Sequence, residues 1–452
     1  LALIVWLPLP LGSNRTWAWS LMEVWTSLLA IGWILLFIRG RVCTTPALIQ
    51  AKPLLYLFGA WFALLIVQII PLPFSWLELL SPVKWEIFRT STVVLPLPES
   101  ETISVDRFAT VQFLLKSISY VSLFVLTLLL VNNRARLNQL LTVIVYCGAY
   151  QATYGIMLSL TDANSLVFFD INSQSTNGTF VNRNHFAGYL EMTSAAGIGL
   201  LMANLKESRS INWRQRIRNS TAWILSKKLH IRIMLAVMVI GLVMSPSRMG
   251  NTAFFSSLLI TAMIWLVTAK KRPKRSAILL IGSLILIDIY IVGTWFGVDK
   301  VIDRLENTST SVETRDEVFR DSLDYIKQHP VLGSGGGTFY TVYPYYRKDD
   351  SGTGFYNFAH NDYLQIAAET GLIGLSLISL TVLITLSHAL ISLKRSKSVY
   401  TRGMLFGSIM GVTSLLIHSS VDFNLQIPAN AAMFTLLMAL AWCSNTLQRH
   451  ET

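Results

Sequence analysis

The sequence predicts an all-α integral membrane protein with about twelve transmembrane helices and one large outer loop. Three observations lead there. First, hydrophobic residues make up 52% of the 452-residue chain, charged residues 14%, and mean hydropathy is +0.50, whereas soluble domains carry about a quarter charged residues. Second, apolar runs recur at nearly the length a bilayer crossing needs, about 20 residues. Third, Lys and Arg crowd into every other connection, which is the charge pattern of a polytopic chain.

In chain order, residues 1–11 read as the end of one span, and the start at Leu1 rather than Met points to missing N-terminal residues. Further spans fall at 17–38, 53–71, 109–131, 137–160, 185–204, 233–244, 250–268, 277–296, 363–393, 402–419 and 429–445. The connections 39–52, 132–136, 205–232, 269–275, 394–402 and the C-terminal tail hold 23 Lys/Arg against two acids, Glu207 and Glu451. The alternate set, 12–16, 72–108, 161–184, 245–249, 297–362 and 420–428, holds 13 Lys/Arg and 19 Asp/Glu. The basic set belongs in the cytoplasm. Both termini are then cytoplasmic, and residues 1–452 form one polytopic membrane domain. The net charge of +12 is therefore a topology signal. "KKRPKR" (270–275) lies between two spans, so no nucleic-acid partner is expected. Cys43, Cys147 and Cys443 imply no disulfide framework. No metal-ligand spacing is visible, and neither a metal nor another cofactor is expected.

The outer loop 297–362, inserted between two spans, is long enough to carry structure of its own. "TRDEVFRDSLDYIKQ" (314–328) predicts a helix with a Thr314/Glu317 capping box, a less polar stripe at Val318, Phe319, Ser322 and Ile326, and a stop at Pro330. "GSGGGTF" (333–339) reads as a flexible turn. It lacks the Lys-Ser/Thr of a phosphate loop and any strand–loop–helix setting. The aromatic cluster that follows, with Tyr343 and Tyr346 in it, suits stacking on sugar rings or an interfacial belt. Both readings stay open.

Chemistry-bearing residues gather on this same outer face. Arg183 lies in "NGTFVNRNHFAGYLEM" at the start of a span, Arg248 in the turn "SPSRMG", and Arg315 in the loop helix. A guanidinium at headgroup depth suits phosphate; snorkelling to lipid headgroups is the plainer alternative. His360 opens "HNDYLQIAAETGLIG", where Asn361 or Asp362 can cap the helix. The positive helix end disfavours imidazolium, so a neutral ring could accept a proton. A structural histidine is the alternative, and His185 is the competitor for the role. His388 and His418 are expected to pack. Glu23, Lys116, Glu191, Asp288 and Glu369 fall inside spans, where ionisable groups are paired or functional. Glu369 could reach toward the outer face and hold an arginine.

Taken together and in this order, "GTFVNRNHFAGYL", "SPSRMG", "TRDEVFRDSLDYIKQHPVLGSGGGTF" and "AHNDYLQIAAETGLIG" resemble the O-antigen ligase and polymerase superfamily over roughly residues 175–375. "PLGSNRTWAWS" (10–20) is similar to bacterial polysaccharide-cluster members. Met249 departs from the small residue many members carry there. The resemblance implies a metal-independent, GT-C-like glycosyltransferase of the bacterial inner membrane, with its site facing the periplasm. It implies a donor glycan on undecaprenyl diphosphate and an acceptor that is another lipid-linked glycan or lipid A–core. It casts His360 as the catalytic base and Arg183 and Arg248 as donor diphosphate ligands. Arg315, His185, Tyr343 and Tyr346 would position acceptor or phosphate, with Glu369, Asn361 and Asp362 in support. The alternative is a lipid-linked oligosaccharide flippase or another polytopic transporter. Such proteins place their sites near the midplane, whereas these residues lie at one face. A lipid-diphosphate phosphatase would share the arginines and histidine without needing the long aromatic loop.

Overall fold

The computed structural model describes residues 1–91, 100–161, 176–204, 227–268, 309–348 and 356–446, with isolated positions at 278, 282–283 and 286. Helices dominate. The principal ones are α1 (Thr16–Ile38), α2 (Lys52–Ile69), α3 (Arg107–Leu130), α4 (Arg134–Thr161), α5 (Arg183–Ala203), α6 (Lys227–Met244), α7 (Arg248–Val267), α8 (Ser309–Gln328), α9 (Asp362–Arg395), α10 (Val399–His418) and α11 (Pro428–Thr446). Among the described residues, seven of them, α1 to α5, α7 and α9, are long and apolar enough to cross a membrane. The chain is thus an all-α, multi-pass membrane protein. The expected span at 277–296, with Asp288, lies outside the described residues. Residues 1–11 form a short helix, Ala2–Trp6, that stops before Pro8 and Pro10.

Helices α5, α10 and α11 form the centre. Residues 185–203 of α5 are all buried. Glycines permit this: a Cβ on Gly199 would lie 2.8 Å from the Gly407 Cα and 2.9 Å from the Gly403 carbonyl of α10. Such small-residue contacts let backbones touch where lipid offers no hydrophobic drive for helix association.

Helix α9 departs from the uninterrupted run the sequence predicts. At Gly371 the backbone turns to φ 67°, ψ −177°, a conformation that glycine adopts without strain. The N–H groups freed beyond the break are not left bare. Leu372 donates to the Pro330 carbonyl (2.8 Å) and Ile373 to that of Val331 (3.4 Å). A backbone break at membrane depth is tolerated when protein satisfies it.

The described part of the loop, residues 309–348 and 356–361, is a packed cap. Its helix starts no later than Ser309, so Thr314 is interior and the expected capping box does not form the N-terminus. Val318, Tyr325, Phe339, Tyr343, Ala359 and Ala368 make its core. Phe319, expected on the buried stripe, is 46% exposed; Asp321 and Tyr325 are buried instead. The glycine turn adopts positive φ at Gly333, Gly335 and Gly337, and it is pinned rather than loose. Gly336 N–H donates to Gln68 Oε1 of α2 (3.1 Å), and Gly337 and Phe339 N–H donate to Glu369 (2.9 and 3.2 Å). Glu369 therefore holds the cap's turn, where the sequence suggested it would hold an arginine. Three backbone or amide donors fill its oxygens, Gln365 Nε2 being the third at 3.0 Å.

Candidate functional site at the head of the bundle

Helices α5, α7 and α9 begin at the same end of the bundle; the connection 419–427 ties α9 to α5, and Gly250 packs the start of α7 on α5. Asn361 caps α9, its side chain accepting from Tyr363 and Leu364 N–H. Its Nδ2 donates to the Ser420 carbonyl at 2.7 Å. Asp362 takes a different part from capping. Its carboxylate accepts from Leu425 N–H (3.0 Å) and Gln426 Nε2 (3.4 Å), and its N–H donates to the carbonyls of Ser419 and Asp422. The start of α9 is thereby bolted to the connection.

The same connection grips α5. Asp422, 1% exposed, accepts from Asn184 Nδ2 at 2.5 Å and from Phe423 N–H at 2.8 Å, and His185 Nε2 approaches to 3.6 Å. Burial alone would raise the Asp422 carboxyl. The approach of His185, the charge of His418 and the Phe423 N–H outweigh it and hold the group below the usual carboxylate range. Asn430 Nδ2 adds a bond to the His185 carbonyl at 2.9 Å.

Phe423 is the shared wall. Its ring meets His185 edge-on at 4.6 Å and His360 edge-on at 4.9 Å, and stacks on Phe358 at 4.4 Å. The two histidines that compete in the sequence thus flank one aromatic ring. His360 sits at φ 50°, a left-handed conformation uncommon for a non-glycine residue. Such conformations persist where surrounding structure over-determines them, often at functional sites. From His360 a run of rings leads into the cap: Tyr356 at 6.4 Å, then Tyr343 at 6.0 Å, then Phe339 at 5.0 Å. Arg347 lies over Tyr356 at 5.9 Å.

Arg183 and Arg248 are the first residues of α5 and α7, and both are exposed. Ser247 caps α7, accepting from Gly250 N–H at 3.3 Å. Helix N-termini carry partial positive charge and free N–H groups, a ready setting for anions. Gly250 packs on α5, where a Cβ would lie 2.6 Å from Ala187 Cβ and 3.1 Å from Glu191 Oε1. Arg183, Arg248, His185 and His360 thus share one end of the molecule. Arg315 lies on α8, with its side chain outside the described residues. Tyr343 is 1% exposed in the cap core, and Tyr346 stacks on Tyr325 at 5.0 Å.

Residues 233–379 match the family model described as O-antigen ligase. The resemblance read from the motifs holds over that segment. The matched segment contains Arg248, Arg315, Tyr343, Tyr346, His360, Asn361, Asp362 and Glu369. Arg183, His185 and the 419–427 connection lie outside it, and the fold brings them to its edge. No curated protein matches the chain.

Asp422, Phe423 and Asn184 are the site residues sequence reading missed, whereas Tyr356 belongs to the aromatic cluster it noted. One signal was available: "SSVDFNLQ" (419–426) is polar for so short a turn between apolar runs. Beside the connection, an apolar groove runs between α2, α3, α9 and α11, lined among others by Trp61, Phe113, Tyr120, Ile366 and Phe434. Among the described residues Lys116 is the one charged group lining it, and Gln426 lies at its wall.

Proposed function

We propose that the chain transfers a glycan from undecaprenyl diphosphate to an acceptor hydroxyl at the periplasmic face, as an O-antigen ligase or polysaccharide polymerase. The observation that carries this reading is that His360 and the Arg183-headed start of α5 meet at the Asp422–Phe423 connection, with the Arg248-headed start of α7 packed on α5 through Gly250. Arg183 and Arg248 bind the donor diphosphate, each guanidinium able to bond two oxygens at once. His360 takes the proton from the acceptor hydroxyl. The oxygen attacks the anomeric carbon, the bond from that carbon to the diphosphate oxygen breaks, and the lipid diphosphate leaves with the electron pair. Pre-placed positive charge at the leaving group is electrostatic catalysis, and the base adds about 10²–10⁴-fold.

In this reading Asn361 and Asp362 set the height of His360, and Glu369 sets the cap above it. His185 positions the acceptor from the far side of Phe423. Arg315 supports acceptor or phosphate positioning, and Tyr343 and Tyr346 act through the packed cap wall. The donor's isoprenoid tail lies in the apolar groove. The 297–362 segment is a periplasmic loop inserted in a twelve-span chain with both termini in the cytoplasm of a bacterial cell, and no metal takes part.

The test is a reconstituted assay with undecaprenyl-diphosphate glycan that follows donor binding and product separately. His360→Ala is expected to bind donor normally and lose most turnover, with partial recovery at raised pH. Arg183→Lys and Arg248→Lys are expected to bind more weakly. Near-normal turnover in His360→Ala with loss in His185→Ala would move the base to the other histidine. Activity abolished by a chelator and restored by one divalent ion would overturn the metal-free mechanism. Protection of a Ser351→Cys thiol from an impermeant reagent in intact spheroplasts would overturn the sidedness.

A further inference from the structure

Beneath the head of the bundle lies a polar cluster that the proposed chemistry does not use. Glu191 of α5 is fully buried, and both its oxygens are taken by α10. Oε1 lies 2.7 Å from His418 Nδ1 and Oε2 accepts from Ser414 Oγ at 2.7 Å. His418 is fully buried as well, in keeping with the expected packing, and its ring also bonds Glu191. Such groups are costly inside a membrane and are paired or functional when they occur.

The contact between α5 and α10 explains why a polar bond is placed there. Toward the other end the two helices meet through Gly199, Gly403 and Gly407, where backbone lies against backbone. A surface without side chains has no ridges to fix the axial register of one helix against the other. A carboxylate bonded to two groups on the partner is satisfied at one register only. Buried polar groups are best attested in this role of specifying register. The cluster also reaches a third helix. Gly250 of α7 sits against Ala187 and Glu191 Oε1, and Arg248 heads that helix two residues earlier.

We propose that Glu191, His418 and Ser414 form a buried latch that fixes the height of Arg248 relative to Arg183, making Glu191 and His418 positioning residues for the donor diphosphate. This rests on the reading of Arg248 as a diphosphate ligand.

Two variants attack the latch from different sides. Glu191→Gln replaces one acceptor oxygen by an amide nitrogen. Gly250→Ala leaves the latch intact and pushes α7 away from it. Gly199→Ala is the control, because it strains the same helix pair at its other end, where a Cβ would lie 2.8 Å from Gly407 Cα. Purified full-length protein in nanodiscs is measured for undecaprenyl diphosphate binding and melting temperature. Spin-label distances are taken between Val181→Cys and Thr252→Cys in a Cys43→Ser background. Glu191→Gln and Gly250→Ala are both expected to weaken binding roughly ten- to hundredfold, the scale of a misplacement of about 1 Å, and to broaden or shift the distance distribution. Gly199→Ala is expected to lower the melting temperature while the folded fraction keeps wild-type binding and distances. Wild-type binding and distances in both test variants would overturn the latch, as would loss of binding in the control equal to theirs. Arg248→Ala separates the two readings. If it binds donor normally, the diphosphate assignment fails, and the distance distributions alone then decide the latch.

Discussion

Helices α1 and α5 are both long and apolar enough to cross a membrane, yet 11% of the apolar window of α1 is buried inside the protein and 100% of that of α5. The more apolar helix is the one outside. Lipid accepts the Leu, Ile and Trp surface of α1 as readily as a protein core would, so no hydrophobic force draws it inward. Helix α5 carries Gly188, Gly197 and Gly199, together with Thr193, Ser194 and Glu191, which favour close packing and hydrogen bonding over contact with lipid. The helix that reads as the poorer span is thus the centre of the bundle and carries Arg183 at its head. The cap follows a third regime, in which burial is bought with aromatic rings, as in a soluble domain.

The contrast between the two helices breaks first at their starting residues. Arg15 and Arg183 are both exposed where a helix begins. Arg183→Ala should cost about 10²–10³-fold in glycan transfer, whereas Arg15→Ala should stay within about twofold of wild type. Equal losses in the reconstituted assay would mean that any arginine at this depth serves, and that α5 has no special standing.

The cap's solution-like regime is tested by pH. Burial pushes His329 down to about 4 from its ordinary 6.5. The unfolded cap therefore takes up the proton first, and stability falls as pH drops from about 6.5 to about 4, with no further change from this group below. The whole drop is on the order of 3 kcal/mol. Hydrogen exchange of the α8 amides should quicken across that window, and His329→Gln should remove the dependence. A flat profile in the unmodified protein would show that the cap is not closed around this ring.

Packing gives the smaller effects. Gly199→Ala forces a methyl into the α5–α10 backbone contact and should cost roughly 1–3 kcal/mol. Gly32→Ala on α1, where a Cβ meets nothing within 4 Å, should change stability by no more than about 0.5 kcal/mol. Comparable melting shifts for the two would deny that α5 is central and α1 peripheral.

Much of the fold is legible in the chain because membrane helices are local objects: about 20 apolar residues, capped or charged at the ends. The described spans start and stop within a few residues of the apolar runs, and of the two caps the sequence offered for α9, Asn361 and Asp362, the structure uses Asn361. The glycine turn is legible too, since "GSGGG" has few alternatives. The break in α9 is harder to read: Gly371 and Gly374 look like packing glycines, and only Pro330 and Val331 lying alongside reveal which of them breaks the helix.

What the sequence by itself determined is the class of the protein and the positions of most helices, and it singled out the arginines and histidines of one face as candidates. Only the tertiary structure decided their partners. Glu369 went to the cap's glycine turn, and Glu191 to a histidine 227 residues away. Asn184 found Asp422 across 238 residues, and Phe423 was placed between the two histidines. The physical reason is that helix formation is written in neighbours three and four residues apart. A buried carboxylate instead takes its donors from whichever helices pack around it, and that depends on where glycines let backbones meet.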